Sequence, residues 1–362
     1  MSIPVRRASA LSAAAALLAG GLIALLPVAP AGAVTVGTDA ELRAAFTNVA
    51  ETSITLSADI TITCDGDNQI ERIGDQADIV VDGAGHTISY ACNDGNETVF
   101  VTDDVDATVT LRNLTVNDTG SGYAVTSVDG PLVLENVTTH GWINVFRGDH
   151  ITMSGSAVLD AVGTAVDPDE GATITGSTLA GNDTGLQADG PVIITNTTIS
   201  GSSDTGLFLR DAQATVTHVT LVDNTTHLWV SGGTFEATAV AFGASTGTPC
   251  IDGGGSAAFS SGGHNIAAGA CSFGGTTDQA DLGTAALSLG ALAGAGPVHT
   301  PGAGSVLIDA IPAADCAVAT DQLGTSRPQG SGCDVGAVEI VPAGPAPTPP
   351  ATPTPATPRF TG

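Results

Sequence analysis

Lysine is absent. The nine basic residues of this 362-residue chain are all Arg, against 37 Asp and Glu, for a formal charge of −28. The imbalance comes from missing base rather than added acid. A nucleic-acid binder needs a basic footprint, and an anionic bilayer attracts polybasic segments. The composition argues against both. Aromatics are only 4 % of the chain. Past residue 33 no window has the length and hydrophobicity of a membrane span. There is no C-x-x-C, and no Cys has His at ligand spacing, which argues against zinc. No Ser-His-Asp arrangement, phosphate loop or nucleotide fingerprint is visible. Whole-chain disorder does not fit a sequence that is 42 % hydrophobic.

The two ends differ from the middle. Arg6 and Arg7 precede an apolar stretch from Ala10 to Leu26, and Ala31-Gly32-Ala33 fits a cleavage site. Residues 1–33 therefore read as an export leader. Residues 342–362 are rich in Pro, Ala and Thr, a composition that favours extended polyproline II and reads as a disordered stalk. Six Cys remain, an even number that suits disulfides in an exported protein. Their order and spacing favour Cys64–Cys92, Cys250–Cys271 and Cys316–Cys333. The expected location is extracellular or at the cell surface.

The middle repeats. Four-residue windows starting at Gly122, Ile143, Thr164, Gly185, Gly206 and His227 lie 21 residues apart. Short β-branched runs recur once per period, with Gly, Asn, Asp and Ser between them. A period of this size with several short strands and no helical run predicts an all-β fold, a right-handed parallel β-helix of about 21 residues per coil. A sandwich with regular strand spacing is the alternative, and a fixed column over six copies disfavours it. Alternation then sends the second and fourth window positions inward. The third, holding Ala124, Val145, Val166, Gln187, Phe208 and Trp229, should point out. Arg147 and Arg210 share the fifth position, three coils or about 14 Å apart. Thr38-Asp-Ala-Glu41 fits a capping box, and Leu42, Ala45, Phe46 and Val49 have helical spacing, so residues 34–52 should cap the open end. The coils should run over 53–244. Seven N-x-T sequons, at Asn96, Asn113, Asn117, Asn136, Asn182, Asn196 and Asn224, could mark glycosylation. They suit coil turns better, where Asn tolerates bent backbone and Thr opens the next strand.

Ile79-Val-Val-Asp-Gly-Ala-Gly-His-Thr-Ile88 resembles the first full coil of pectate-lyase-like β-helices. Residues 245–341 carry Gly262-Gly-His-Asn-Ile266, Leu287-Ser-Leu-Gly-Ala-Leu292, Asp321-Gln-Leu-Gly-Thr-Ser-Arg-Pro328 and Cys333-Asp-Val-Gly-Ala-Val-Glu339. This set resembles the choice-of-anchor Q domain of bacterial surface β-helix proteins. Leu323 stands where that domain usually has Arg, and Ala295-Gly296-Pro297 replaces its Gly-Gly-Pro. The resemblance implies export and surface association, and it implies no activity.

Candidate chemistry is sparse. Glycoside hydrolysis needs two carboxylates. Asp103, Asp104 and Asp106 form one acidic cluster, and Asp167-Pro168-Asp169-Glu170 another, each better suited to a solvated turn. The second faintly resembles the Asp-Pro-His-Glu of alginate epimerases, with Asp169 in place of His. Arg147 and Arg210 are the candidate bases for a lyase. Asp65, Asp67, Asp103 and Asp106 could supply oxygens to a structural Ca²⁺, and no other cofactor is implied. Phe208, Trp229 and Arg210 could form a platform for a sugar ring or a uronate, unless a loop covers them. The expectation is an exported, non-catalytic protein that contacts glycans or other cell-surface components. A lyase or hydrolase of acidic polysaccharides is the alternative, and a structural spacer the second.

Overall fold

In the computed structural model, residues 32–63, 69–74, 77–92, 98–104, 106–118, 124–254, 257–271 and 273–342 are described. The export leader and the Pro-rich tail thus lie almost wholly outside the described residues. So do Cys64, Asp65, Asp67 and Asn96.

The chain winds into a parallel β-solenoid of about ten turns. Three sheets run its length. The first begins with Gly32–Val36 and Glu51–Leu56 and ends at Ala258–Gly263. The second runs from Ile60–Ile62 to Ile266–Ala267, and the third from Ile70–Arg72 to Cys250–Asp252. Strand pairing thus continues past residue 244. Each strand pairs with the like strand of the next coil, so like residues stack. The inward files are nearly all aliphatic. One such file reads Val158, Leu179, Ile199, Leu221 and Phe242, all buried.

Bends between sheets repeat as well. Asn113, Asn136 and Asn196 turn the chain from the first sheet to the second with φ near +50°, a conformation Asn tolerates better than most residues. Asn182 and Asn224 point inward at another bend. Their side chains accept from the amides of Ala161 and Ser202, at 2.9 Å each, and donate to the carbonyls of Val158 and Ile199. Both are fully buried. These two sequons are interior hydrogen-bonding stations, and their amides cannot carry a glycan in the folded chain.

Both ends of the core are plugged. At the N-terminal end, helix Asp39–Thr47 starts at Thr38, whose hydroxyl accepts from the Glu41 amide, and buries Leu42, Ala45 and Phe46. Arg72, fully buried, donates to the carbonyl of Phe46 in the last turn of that helix and to those of Asn48 and Glu51 beyond it. At the other end Phe273 packs on Phe235, Phe242 and Phe259, with ring centroids 5.4–5.9 Å away.

The remaining chain folds back as a strap over the outer face of the second sheet. Thr178 donates to the Pro297 carbonyl at 2.8 Å, and Thr198 to Gln322 at 2.7 Å. Ser200 bonds His299 at 2.7 Å, and Thr220 accepts from the Ala337 amide. Disulfides Cys250–Cys271 and Cys316–Cys333 tie this region, as the spacing predicted. Cys92 is also disulfide-bonded. Inside the strap, Arg327 and Glu339 form an ion pair at 2.9 Å with neither side chain exposed. Arg327 also donates to the carbonyls of Asp334 and Gly336. Leu323, in the unusual position, is 56 % exposed and takes no part.

Candidate functional site

The coil length is not constant, and this decides what the third sheet displays. Thr126 pairs with Phe146, Phe146 with Val166 and Val166 with Leu186, each 20 residues on. From Leu186 to Leu207 to Leu228 the step is 21. The fixed 21-residue column is therefore out of register in the earlier coils. Ala124, Val145 and Val166, expected outside, are buried. Arg147, expected in one column with Arg210 three coils away, instead belongs to the outward file with Asp167, Gln187, Phe208, Trp229 and Ile251. Gln187 reaches that file through the ladder order, since its neighbour Leu186 pairs with Val166. Arg210 stands two residues further along its strand, paired with Ser231.

This file is the candidate site. Arg147 lies 3.5 Å from Asp167, an ion pair too long for a hydrogen bond. The Gln187 amide donates to the other Asp167 oxygen at 3.4 Å. Partial burial raises the Asp167 pKa, and Arg147 opposes that shift. Arg210 grips Asp189 with two nitrogens, at 2.6 and 3.0 Å. Its guanidinium also sits 5.6 Å from the Phe208 ring centroid, in cation–π range. Phe208 and Trp229 meet edge to face at 5.6 Å. The strap lies on the second sheet, so Trp229 keeps 36 % exposure. Neighbouring coils thus present a file of polar, then aromatic, side chains about 4.8 Å apart.

The corner beside this file, where the third sheet turns into the first, is acidic. Asp129, Asp149, Asp169 with Glu170, and Asp189 fall there on successive coils. The Asp149 pKa is raised first by burial, then by the charges of Glu170, Asp169 and Asp129.

Asp103, Asp104 and Asp106 occupy the same corner three coils before Asp169. At the sheet spacing this is about 14 Å, so the two acidic clusters are not one site. Asp103 accepts from the Gly74 amide and Asp104 from the Asp106 amide, both at 3.0 Å. These are turn-holding contacts. Among the described residues, no three His, Cys, Asp or Glu side chains are grouped to hold a metal.

Sequence reasoning placed Gln187 in the outward column with Phe208 and Trp229, and missed Asp189 and Ile251 as parts of this face. Asp189 had a signal: it precedes Arg210 by one coil length.

The family comparison covers the N-terminal third. Residues 33–145 match the family described as "Putative pectate lyase-like adhesive domain". The matched stretch stops two residues before Arg147, so the aromatic file lies beyond it. A solved structure titled L. reuteri 53608 SRRP is similar over 61 % of this chain and 94 % of that one, at 14 % identity and a TM-score of 0.41. No curated protein matches the chain. Among the described residues, no helix is long and apolar enough to cross a membrane.

Proposed function

We propose that this chain is an exported, non-catalytic adhesive protein that holds a glycan against the outer face of the third sheet. Phe208 and Trp229 supply a stacking surface, and the Arg210–Asp189 pair supplies hydrogen bonds at its rim. The observation that carries this reading is exposed Trp229 against half-buried Phe208, in one file with Gln187, since an aromatic surface flanked by polar groups suits one apolar face of a sugar ring. The adhesive-domain match over residues 33–145 supports the adhesive part.

The electrostatics favour an uncharged sugar over the uronate. Arg147 and Arg210 are each neutralised by an Asp, and the corner beside them is acidic. A polyanion would meet net repulsion. The same pairing argues against a lyase, which needs a base that can take a proton, and both guanidinium groups are tied up as cations. Residues 1–33 serve export, residues 245–341 act as a choice-of-anchor-like module and residues 342–362 as a stalk in this reading. The disulfides fit an oxidising compartment.

A glycan array probed with the full chain and with Trp229→Ala tests it. Binding to neutral glycans, weakened about tenfold or more in Trp229→Ala, is the expected result. No binding to any glycan would leave the spacer reading. Pectate and alginate incubated with the protein, with and without Ca²⁺, should show no growth of ultraviolet absorbance from unsaturated ends.

A further inference from the structure

Trp229 does not end the platform. Its indole lies against the backbone of Gly253, where an added Cβ would come within 2.3 Å of Nε1. In the next coil Ile251 pairs in register with Trp229. Ile251, Cys250, Asp252, Phe259, Ala270 and Phe273 line a cavity of about 170 Å³ at the C-terminal end of the solenoid. Phe259 and Phe273 are stacked there, 5.9 Å apart with planes 16° from parallel. The Cys250–Cys271 disulfide joins the last strand of the third sheet to the segment beneath. Asp252 is the one charged side chain in the lining. One of its oxygens accepts from the Gly254 amide at 2.9 Å, and the other can accept from a ligand.

An apolar notch beside a carboxylate acceptor has a defined complement. It wants a small apolar group next to an N–H donor. It rejects a carboxylate by charge. A hydroxyl would leave the aromatic walls against water. An O-acetyl or methyl ester fills the notch and offers Asp252 no donor. An acetamido group meets both needs.

We infer that the platform takes an N-acetylated, uncharged sugar, its ring on Trp229, its acetamido methyl in the notch beyond Ile251 and its amide N–H on Asp252. The inference rests on the proposal that this face binds glycans.

The test compares matched pairs that differ only in the acetamido group, such as tri-N-acetylchitotriose and cellotriose, titrated calorimetrically into the full chain. The acetylated member should bind about tenfold tighter or more, the scale of filling one small apolar pocket. Asp252→Ala, at an exposed position, should erase that preference and keep the affinity for cellotriose. Trp229→Ala should weaken both, with thermal melts confirming that each variant is folded. Equal affinity within pairs, or binding confined to unacetylated glycans, with sensitivity to Trp229→Ala retained, overturns the inference and leaves the glycan-binding face standing. Absence of binding to every glycan tested overturns both.

Discussion

At the residue scale, a change in coil length reassigns the neighbours of Arg147. Each coil of 20 instead of 21 residues slips the column by one, and in a strand a slip of one exchanges inside for outside, which brings Asp167 to the outer face. Two such coils shift Arg147 by two places, which leaves it outside but moves it into the file of Phe208 and Trp229. The window pattern could not show this, because Val145 and Val166 are apolar in either place. Gly253 is a second residue-scale constraint. Gly253→Ala should push the Trp229 indole from its seat and cost about 1–3 kcal/mol, read by chemical denaturation together with Trp fluorescence. Two buried histidines set a pH dependence. Burial, aided by the Arg327 charge, lowers the His218 pKa to about 3, and burial lowers that of His227 to about 4. Both lie below the ordinary 6.5. Above pH 6.5 each is neutral folded or unfolded, and its contribution is complete. As pH falls from 6.5 toward 4 the unfolded chain takes up protons that the folded chain refuses, so stability drops. The melting temperature should fall over that window, and less steeply in His227→Gln.

At the element scale, the strap shows how far sequence legibility reached. The coils, the capping helix at Thr38 and the pairs Cys250–Cys271 and Cys316–Cys333 were readable, because alternation, capping and cysteine order are local signals. The strap's path was not. It depends on Thr178, Thr198, Ser200 and Thr220, which read as ordinary strand threonines and serine yet hold segments about a hundred residues away in sequence. The Arg327–Glu339 pair was likewise hidden, since a charge reveals its burial only in three dimensions. Glu339 also accepts from the amides of Gln329 and Asp334. Glu339→Gln would strand a buried guanidinium. It should cost about 3–5 kcal/mol and speed hydrogen exchange of the strap well before that of the coils.

At the scale of the whole molecule, the arrangement assigns each face a role. The second sheet is covered by the strap, the core is plugged by Phe46 and Phe273, and the third sheet keeps its aromatic file open. The chain's negative charge then filters partners. A neutral ligand held by stacking releases no counterions, so its affinity should change little between low and high salt, whereas binding that collapses in high salt would mark an electrostatic partner. The candidate face was half legible. Phe208, Trp229 and Arg210 stood out as rare residue types in a repeat, Asp189 left only its one-coil spacing from Arg210 as a signal, and Ile251 was invisible until the register was known.

The two tryptophans make the central claim directly measurable. Trp142 is fully buried and Trp229 is exposed, so ligand contact at the third sheet is reported by one indole. Titrating the full chain with a neutral glycan that it binds should shift the fluorescence to shorter wavelength as Trp229 loses water, and Trp229→Phe should abolish the shift. Calorimetric binding with an unchanged spectrum would place the ligand elsewhere and contradict the account.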